Sequence, residues 1–444
     1  MGAILRNSLS FLALTCASAS HAAPLHLPPA VTDADYAPVN IDEARLGQLL
    51  FFDPILAGNR NISCASCHHP RFATSDGLSL GLGEGAVGLG PKRHVVADNP
   101  PEQRIPRNSP ALFNLGAHEF TRMFHDGRIE ADPSRPTGLR TPMEDEMVAG
   151  FVSILSAQTM FPVLSPDEMA GHYGENEVSK AVRSGLITGP GGAWDLISQR
   201  VSALPEYQKK FGSVYAEIGQ GRAIGFTDIS NAIAAFIAFE WRSDQSHFDA
   251  VLRGDAVLDG EALRGAEIFY REANCVACHS GPFLTDHGFH AMGAPQIGPG
   301  KAERFESHSR DDGRFRVTGK EEDRYAFRTP SLRNVTRTGP WGHAGGASDL
   351  HAFLAQHSGS IDLPDMSGVE PVLPPIGSTK PDFVILEDPE ASAAIQAAQS
   401  YRHPLSATDI DALIAFLTTL EDPVALSGRL GIPESVPSGL PVDR

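Results

Sequence analysis

Cys64-Ala65-Ser66-Cys67-His68 and Cys275-Val276-Ala277-Cys278-His279 repeat one pattern, C-x-x-C-H, and nothing else in the 444-residue chain restricts its fold as strongly. Two intervening residues bring both sulfurs onto one turn. There two thiols add across the vinyl groups of a haem, and the adjacent histidine takes the iron from one face. A single match also fits a redox dithiol or half of a zinc site. Two matches in a chain that starts with an export signal point to two covalent c-type haems, and the rest of the chain must hold and use them.

The export signal is residues 1–22. Arg6 supplies the positive start, Leu9 to Ala17 an apolar core too short to span a bilayer, and Ser20-His21-Ala22 a small-x-small cleavage site. A periplasmic location follows as the expectation, with no membrane span, because no later apolar run is long enough to cross a bilayer. Cys16 lies in the removed segment, and Thr15 before it fits a lipoprotein site poorly. The other four of the five cysteines all lie in the two motifs, so no thiol remains for a disulfide. A net charge of -18 argues against nucleic acid and anionic membranes as partners. It suits a basic protein partner such as a small cytochrome, and it serves solubility equally well.

The length allows two or three domains. After a Pro-rich arm, a helix is expected to start at Asn40, with Glu43 as capping-box partner and Leu46, Leu49 and Leu50 on one face, ending at Phe51-Phe52-Asp53-Pro54. Residues 75–106 carry many glycines and prolines and read as a long surface loop. A helix over Thr227–Arg242 shows Ile229, Ile233, Phe236 and Ile237 on one stripe. Another, capped by Asp259, turns Leu263, Ala266 and Phe269 inward and leads into the second motif. The last begins at Ser406, carries Ile410, Leu413, Ile414, Leu417 and Leu420, and is stopped by Pro423. Strand signals are few. The expected fold is mainly α, with two cytochrome c-like haem domains packed together and long irregular loops. The expected divisions are 23–250, 251–430 and a tail, 431–444.

Several dense stretches carry a resemblance. Leu50-Phe51-Phe52-Asp53-Pro54, both haem motifs, Arg107-Asn108-Ser109-Pro110, Phe124-x-Asp126-Gly127-Arg128, Pro166-x-Glu168-Met169 and the run Phe327–Val335 occur in this order. The chain resembles the bacterial di-haem cytochrome c peroxidase family, which includes a branch that oxidises tryptophans of partner proteins. The resemblance implies that His68 is the proximal ligand of an N-terminal, peroxide-binding haem and that Glu168 is its distal acid-base residue. Gln158 and Pro162 line the same pocket. It implies that His279 is the proximal ligand of a C-terminal relay haem. The distal ligand there is usually Met in the peroxidases and Tyr in the tryptophan-modifying branch. The matching position here is His357, with Met292, His343, His351 and Met366 as competitors, and His343 has a supporting role. The resemblance also implies a calcium ion between the modules, matched by Asn108, Thr338 and Pro340, and a homodimer by analogy.

Two departures matter. The family usually places Trp between the haems, where this chain has His125. Imidazole is harder to oxidise than indole, so another route between the haems is needed, and Trp341 is a candidate. The loop before Arg107 is lengthened and offers only His94 as the histidine that reductively activated members carry, so the resting N-terminal haem is expected to be open. The leading expectation is reduction of hydrogen peroxide to water, with electrons from a small cytochrome c or cupredoxin. The alternatives are an oxidase that modifies a partner protein in the tryptophan manner, and a di-haem electron carrier with no enzymatic role.

Overall fold

The computed structural model describes residues 25–301, 306, 308–359, 369–377 and 381–444. The signal segment, Cys16 and the competitor Met366 lie outside the described residues. The fold is mainly helical, with short antiparallel strand pairs between the helices.

Helix α1 spans Ile41–Phe52 because Asn40 takes the amides of Asp42 and Glu43 on its side chain and an apolar face follows. Leu46, Leu50, Phe51 and Phe52 are buried against α2, Phe226–Glu240, whose Ile229, Ile233, Phe236 and Ile237 face them. Where the helices cross, Gly47 touches α2 so closely that a Cβ would overlap the Ala232 carbonyl, and Phe236 Cβ would lie 2.9 Å away. The second half repeats this construction. Helix α3, Gly260–Glu267, crosses α4, Ala407–Thr418, where a Cβ on Gly265 would overlap the Ala412 carbonyl and lie 2.8 Å from Phe416 Cβ. Phe236 and Phe416 are fully buried at the crossings, each contributing about 1.5–3 kcal/mol of burial. Glycine is required at both crossings because any side chain would push the helices apart. After α3 a wide turn, Ile268–Glu272, leads to Cys275.

Several expectations change on the structure. The Glu43 carboxylate accepts the Tyr215 hydroxyl at 2.6 Å, so Asn40 caps α1 without a reciprocal box. Leu263 is exposed: the buried face of α3 is centred on Gly265, Ala266 and Phe269, and Leu263 lies roughly 110° around the axis. Helix α4 ends at Thr418, and Pro423 instead opens the short helix Pro423–Ser427, where its missing N–H costs nothing. The glycine-rich stretch is no surface loop over residues 78–86. Those residues are buried, and Gly83 fits only because a Cβ would overlap the Asp167 carbonyl. Arg93 is buried within this stretch and donates to the carbonyls of Leu82, Gly83, Ala86 and Gly88.

The chain's end returns to the first half. Ala425 and Val436 are buried in the core built around α1 and α2, Ser438 Oγ donates to Asp53 at 2.6 Å, and Asp443 meets Ser66 inside the first haem motif. Between the halves, Arg107 is buried and binds Asp126 at 2.6 Å and Asp311 at 2.7 Å. Strands Phe289–Ala291 and Ala326–Arg328 pair antiparallel, with Phe289 opposite Arg328.

Candidate active site: two haem-binding turns and their open faces

Each C-x-x-C-H motif forms one tight turn. The His68 amide donates to the Cys64 carbonyl and the His279 amide to the Cys275 carbonyl, both at 2.9 Å. Burial pushes the thiols of Cys64 and Cys67 up to about 12 and that of Cys275 to about 11, and it raises Cys278 as well. Such thiols are neutral and apolar, suited to covalent attachment and a poor start for a thiolate metal site. Among the described residues the three-donor grouping of Cys278, Asp286 and His290 holds one thiol only, which disfavours the zinc alternative.

Both proximal histidines are fixed through Nδ1. His68 Nδ1 lies 2.9 Å from the Thr74 carbonyl and 3.2 Å from Ser109 Oγ. His279 Nδ1 lies 3.2 Å from the Leu284 carbonyl. A donor bond from Nδ1 leaves Nε2 as the free lone pair. Burial lowers the pKa of both, His279 to about 4, so each ring is the neutral, metal-binding form.

The carbonyls of Pro110 and Pro330 also reach these rings. They belong to a repeat: Ser109-Pro110-Ala111-Leu112-Phe113-Asn114 and Thr329-Pro330-Ser331-Leu332-Arg333-Asn334. Asn114 and Asn334 both adopt φ of 61°, and both side chains bind Ser243. The recurring S/T-P-x-L-x-N at a similar distance after each haem motif is the signal that would have revealed it.

Glu168 lies on the wide turn Pro166–Ala170, where three successive amides from Glu168 to Ala170 converge on the Ser165 carbonyl. Single turns of this kind recur at functional sites. Burial raises the Glu168 pKa and Asp167 adds to the rise, while Lys301 and Arg128 offset part of it. The charge of Glu168 also acts on Cys67, which places the carboxylate beside the first haem-binding turn. Gln158 is half-buried on the short helix Ile154–Thr159, and Pro162 opens the turn Pro162–Leu164 that packs on the Glu168 turn. His94 is exposed, with Nδ1 3.1 Å from the Lys92 carbonyl.

Opposite His279 stands His357, at the end of α5, Leu350–His357, which packs on α4. The ring centroids of His279 and His357 are 6.3 Å apart. With metal–nitrogen bonds of about 2.0 Å and nitrogens about 1.1 Å from their ring centres, one iron between two imidazoles needs about 6.2 Å. Burial lowers the His357 pKa to about 4, so this ring too is neutral. Phe353 stacks against it at 5.3 Å. The residues fit a haem held here from both faces. Of the competitors, His351 is partly exposed near Asp411, Met292 is half-buried, and His343 stacks on Phe327 at 3.8 Å, at the seam between the halves.

Asn108, one of the three residues expected at calcium, is held by backbone carbonyls. The Asn108 amide N–H donates to the His343 carbonyl at 2.8 Å, tying Asn108 to the segment that contains Thr338 and Pro340, and Asn108 Nδ2 donates to the Leu78 carbonyl at 2.7 Å. His125 is half-buried and held neutral, chiefly by desolvation, with Arg107, His343 and Arg328 adding to the effect. Trp341 donates Nε1 to the Val335 carbonyl at 2.9 Å.

Two C-x-x-C-H turns, each preceded by a helix that a glycine locks into its crossing, mark a di-haem c-type protein, with a carboxylate near the first turn and an imidazole ring 6.3 Å from His279 at the second. The sequence model described as di-haem cytochrome c peroxidase matches residues 42–257. The chain is 29% identical over 342 residues to methylamine utilization protein MauG of Methylorubrum extorquens, covering 77% of this chain and 75% of that protein. It is 27% identical over 371 residues to cytochrome c551 peroxidase of Nitrosomonas europaea, covering 82% and 88%. In fold it is similar to a MauG-like protein associated with microbial copper homeostasis, with TM-score 0.59, 23% identity and coverage of 92% and 96%. The diheme peroxidase BthA from Burkholderia thailandensis gives TM-score 0.57, 19% identity and coverage of 92% and 91%. Over residues 42–257 the chain is similar to the di-haem cytochrome c peroxidase family, and it is an oxidoreductase. Among the described residues no helix is long and apolar enough to cross a membrane.

Proposed function

We propose that the protein is a periplasmic peroxidase that reduces hydrogen peroxide to water. Electrons from a small cytochrome c or cupredoxin enter at the C-terminal haem and pass to the N-terminal one. Residues 23–250 would carry the peroxidatic haem and 251–430 the relay, with calcium at Asn108, Thr338 and Pro340 between them and a homodimer as the assembly. The observation that carries this reading is the contrast between the two motifs: a half-buried carboxylate, Glu168, near the first and a ring, His357, 6.3 Å from His279 at the second.

When bound, the haems supply an iron position open to peroxide and a store for one electron. The chain does the rest. Glu168 accepts the proton from the near peroxide oxygen and returns it to the far one, so the O–O bond breaks with water leaving. Two electrons and two protons in all balance the conversion of one peroxide to two waters. Gln158 orients the peroxide, and the His68–Thr74 bond holds the proximal ring in its metal-binding tautomer. The test is peroxide-dependent oxidation of a reduced cytochrome c by haem-loaded protein. Absence of turnover with several reduced donors defeats the reading. Cyanide or carbon monoxide binding to one haem separates it from a pure carrier, whose two closed irons bind neither readily.

The 6.3 Å spacing of His279 and His357 favours one second reading. Two imidazoles give a lower potential than His/Met ligation, which makes the relay haem a poor acceptor from cytochrome c. Such a haem suits a protein-modifying oxidase of the tryptophan-oxidising kind, in which both haems share stored oxidising equivalents.

A further inference from the structure

The seam between the two halves holds a half-buried cation, Arg328, that no carboxylate among the described residues neutralises. Four buried arginines are ion-paired: Arg107 with Asp126 and Asp311, Arg314 with Glu130 at 2.9 Å, Arg104 with Asp382 at 2.8 Å, and Arg333 with Asp249 at 2.7 Å; a fifth, Arg93, spends its donors on four backbone carbonyls instead. Arg328 is different. Its Nε donates to the Phe124 carbonyl at 3.1 Å and its Nη1 to the Thr329 carbonyl at 3.3 Å, and among the described residues no carboxylate stands within ion-pair distance. Burial alone draws its pKa down to about 10. A guanidinium removed from water and left without an anion is costly, and proteins keep such groups when a ligand supplies the charge.

Four further observations say where that ligand lies. Phe124 holds φ of 64°, a strained value for a bulky residue, and its carbonyl is the acceptor for Arg328 Nε. The Arg328 amide donates to the His125 carbonyl at 2.7 Å, so the side chain starts from the position between the halves. The next two residues, Thr329 and Pro330, belong to the segment that reaches His279, so the cation borders the second haem crevice. His343, only 7% exposed and stacked on Phe327, has both ring nitrogens without a partner among the described residues, and it acts on His125 as Arg328 does.

We infer that Arg328, with the His343 ring N–H as second donor, anchors a propionate carboxylate of a haem at the seam. This rests on the chain carrying two haems. A guanidinium has five donors in a planar fork, and two backbone carbonyls leave enough of them for a carboxylate. Because the same side chain is tied to Phe124, the anchor also fastens that haem to the other half of the molecule. Its positive charge favours the reduced haem and lowers the proton affinity of the propionate.

The experiment uses full-length, haem-loaded protein and its Arg328→Gln and Arg328→Lys variants. Haem content is measured first by mass and haemochrome spectra; an absence of covalent haem in the wild type defeats the di-haem reading itself. Spectroelectrochemical titration then gives both midpoints between pH 5 and 9. The expected result is that Arg328→Gln lowers one midpoint by about tenfold in the redox equilibrium, about 59 mV for one electron, and moves the pH inflection of that haem upward. Arg328→Lys, which keeps the charge and loses the fork to the carbonyls, stays near wild type. Equal shifts in both variants indicate a merely structural arginine and overturn the proposal, as does no shift in either. If Arg328→Gln yields no holoprotein, His343→Phe keeps the stack on Phe327 and removes the donor. It must then lower the same midpoint, and an unchanged midpoint overturns the anchor.

Discussion

Replacing Glu168 by Gln keeps the side chain's size and removes its capacity to take a proton. If the carboxylate moves the peroxide proton, the rate of reaction with peroxide falls by roughly 10²–10⁴, the range for a general acid-base group. At about 1.36 kcal/mol per tenfold, that is about 2.7–5.4 kcal/mol of barrier. The structure adds a pH signature. Glu168 acts as base when ionised, so the rate falls as pH drops through its pKa, and burial sets that pKa above the usual carboxylate range. Asp167 raises it further and Lys301 lowers it. The acid limb of the rate profile therefore moves to lower pH in Asp167→Asn, where Gln103, now 2.7 Å from the carboxylate, keeps a carbonyl partner. It moves to higher pH in Lys301→Met. The assay is stopped-flow mixing with peroxide across pH, with resting haem spectra as the control for integrity. A Glu168→Gln protein that reacts at the wild-type rate, or acid limbs that move the opposite way, would refute the role.

His357→Ala is expected to turn one haem from low to high spin in electronic and EPR spectra and leave the other unchanged. His357→Met is expected to restore low spin and raise that haem's midpoint. Gly265→Ala forces a methyl onto the Ala412 carbonyl, and overpacking of this kind costs about 1–3 kcal/mol, so chemical denaturation followed at the second haem should report lost stability there first. Asp76 is buried and its pKa is pushed up to about 7 by desolvation. The native state therefore binds a proton that the unfolded chain has released, from the ordinary aspartate range up to about pH 7, and stability falls as pH rises through that window. Asp76→Asn is expected to flatten this dependence in denaturation curves taken between pH 4 and 8.

Much of the site was legible because its chemistry is local. Five consecutive residues specify each haem attachment, and apolar spacing marked the face of α2 and most of α4. Leu263 was misjudged because its helix packs through Gly265, and a glycine contact leaves no apolar mark in a sequence. The 78–86 segment looked like a surface loop for the same reason: its glycines permit burial by close approach to Asp167 and also resemble loop composition. The Ser/Thr-Pro-x-Leu-x-Asn repeat is present in the letters, but its role is visible only where its proline carbonyls reach His68 and His279.

The sequence by itself determined that two haems are bound, that each follows an amphipathic helix, and that a carboxylate in the Pro166–Met169 stretch is the candidate proton carrier. These depend on bonds and turns within a few residues. Tertiary structure decided which side chain faces His279, because only the packing of α5 on α4 brings the His357 ring to 6.3 Å. It also decided that the chain's end closes back on the first motif and that Arg328 stands without a carboxylate at the seam. Neighbours far apart in the chain are selected by how helices cross and which charges are left unpaired, and no local pattern encodes either.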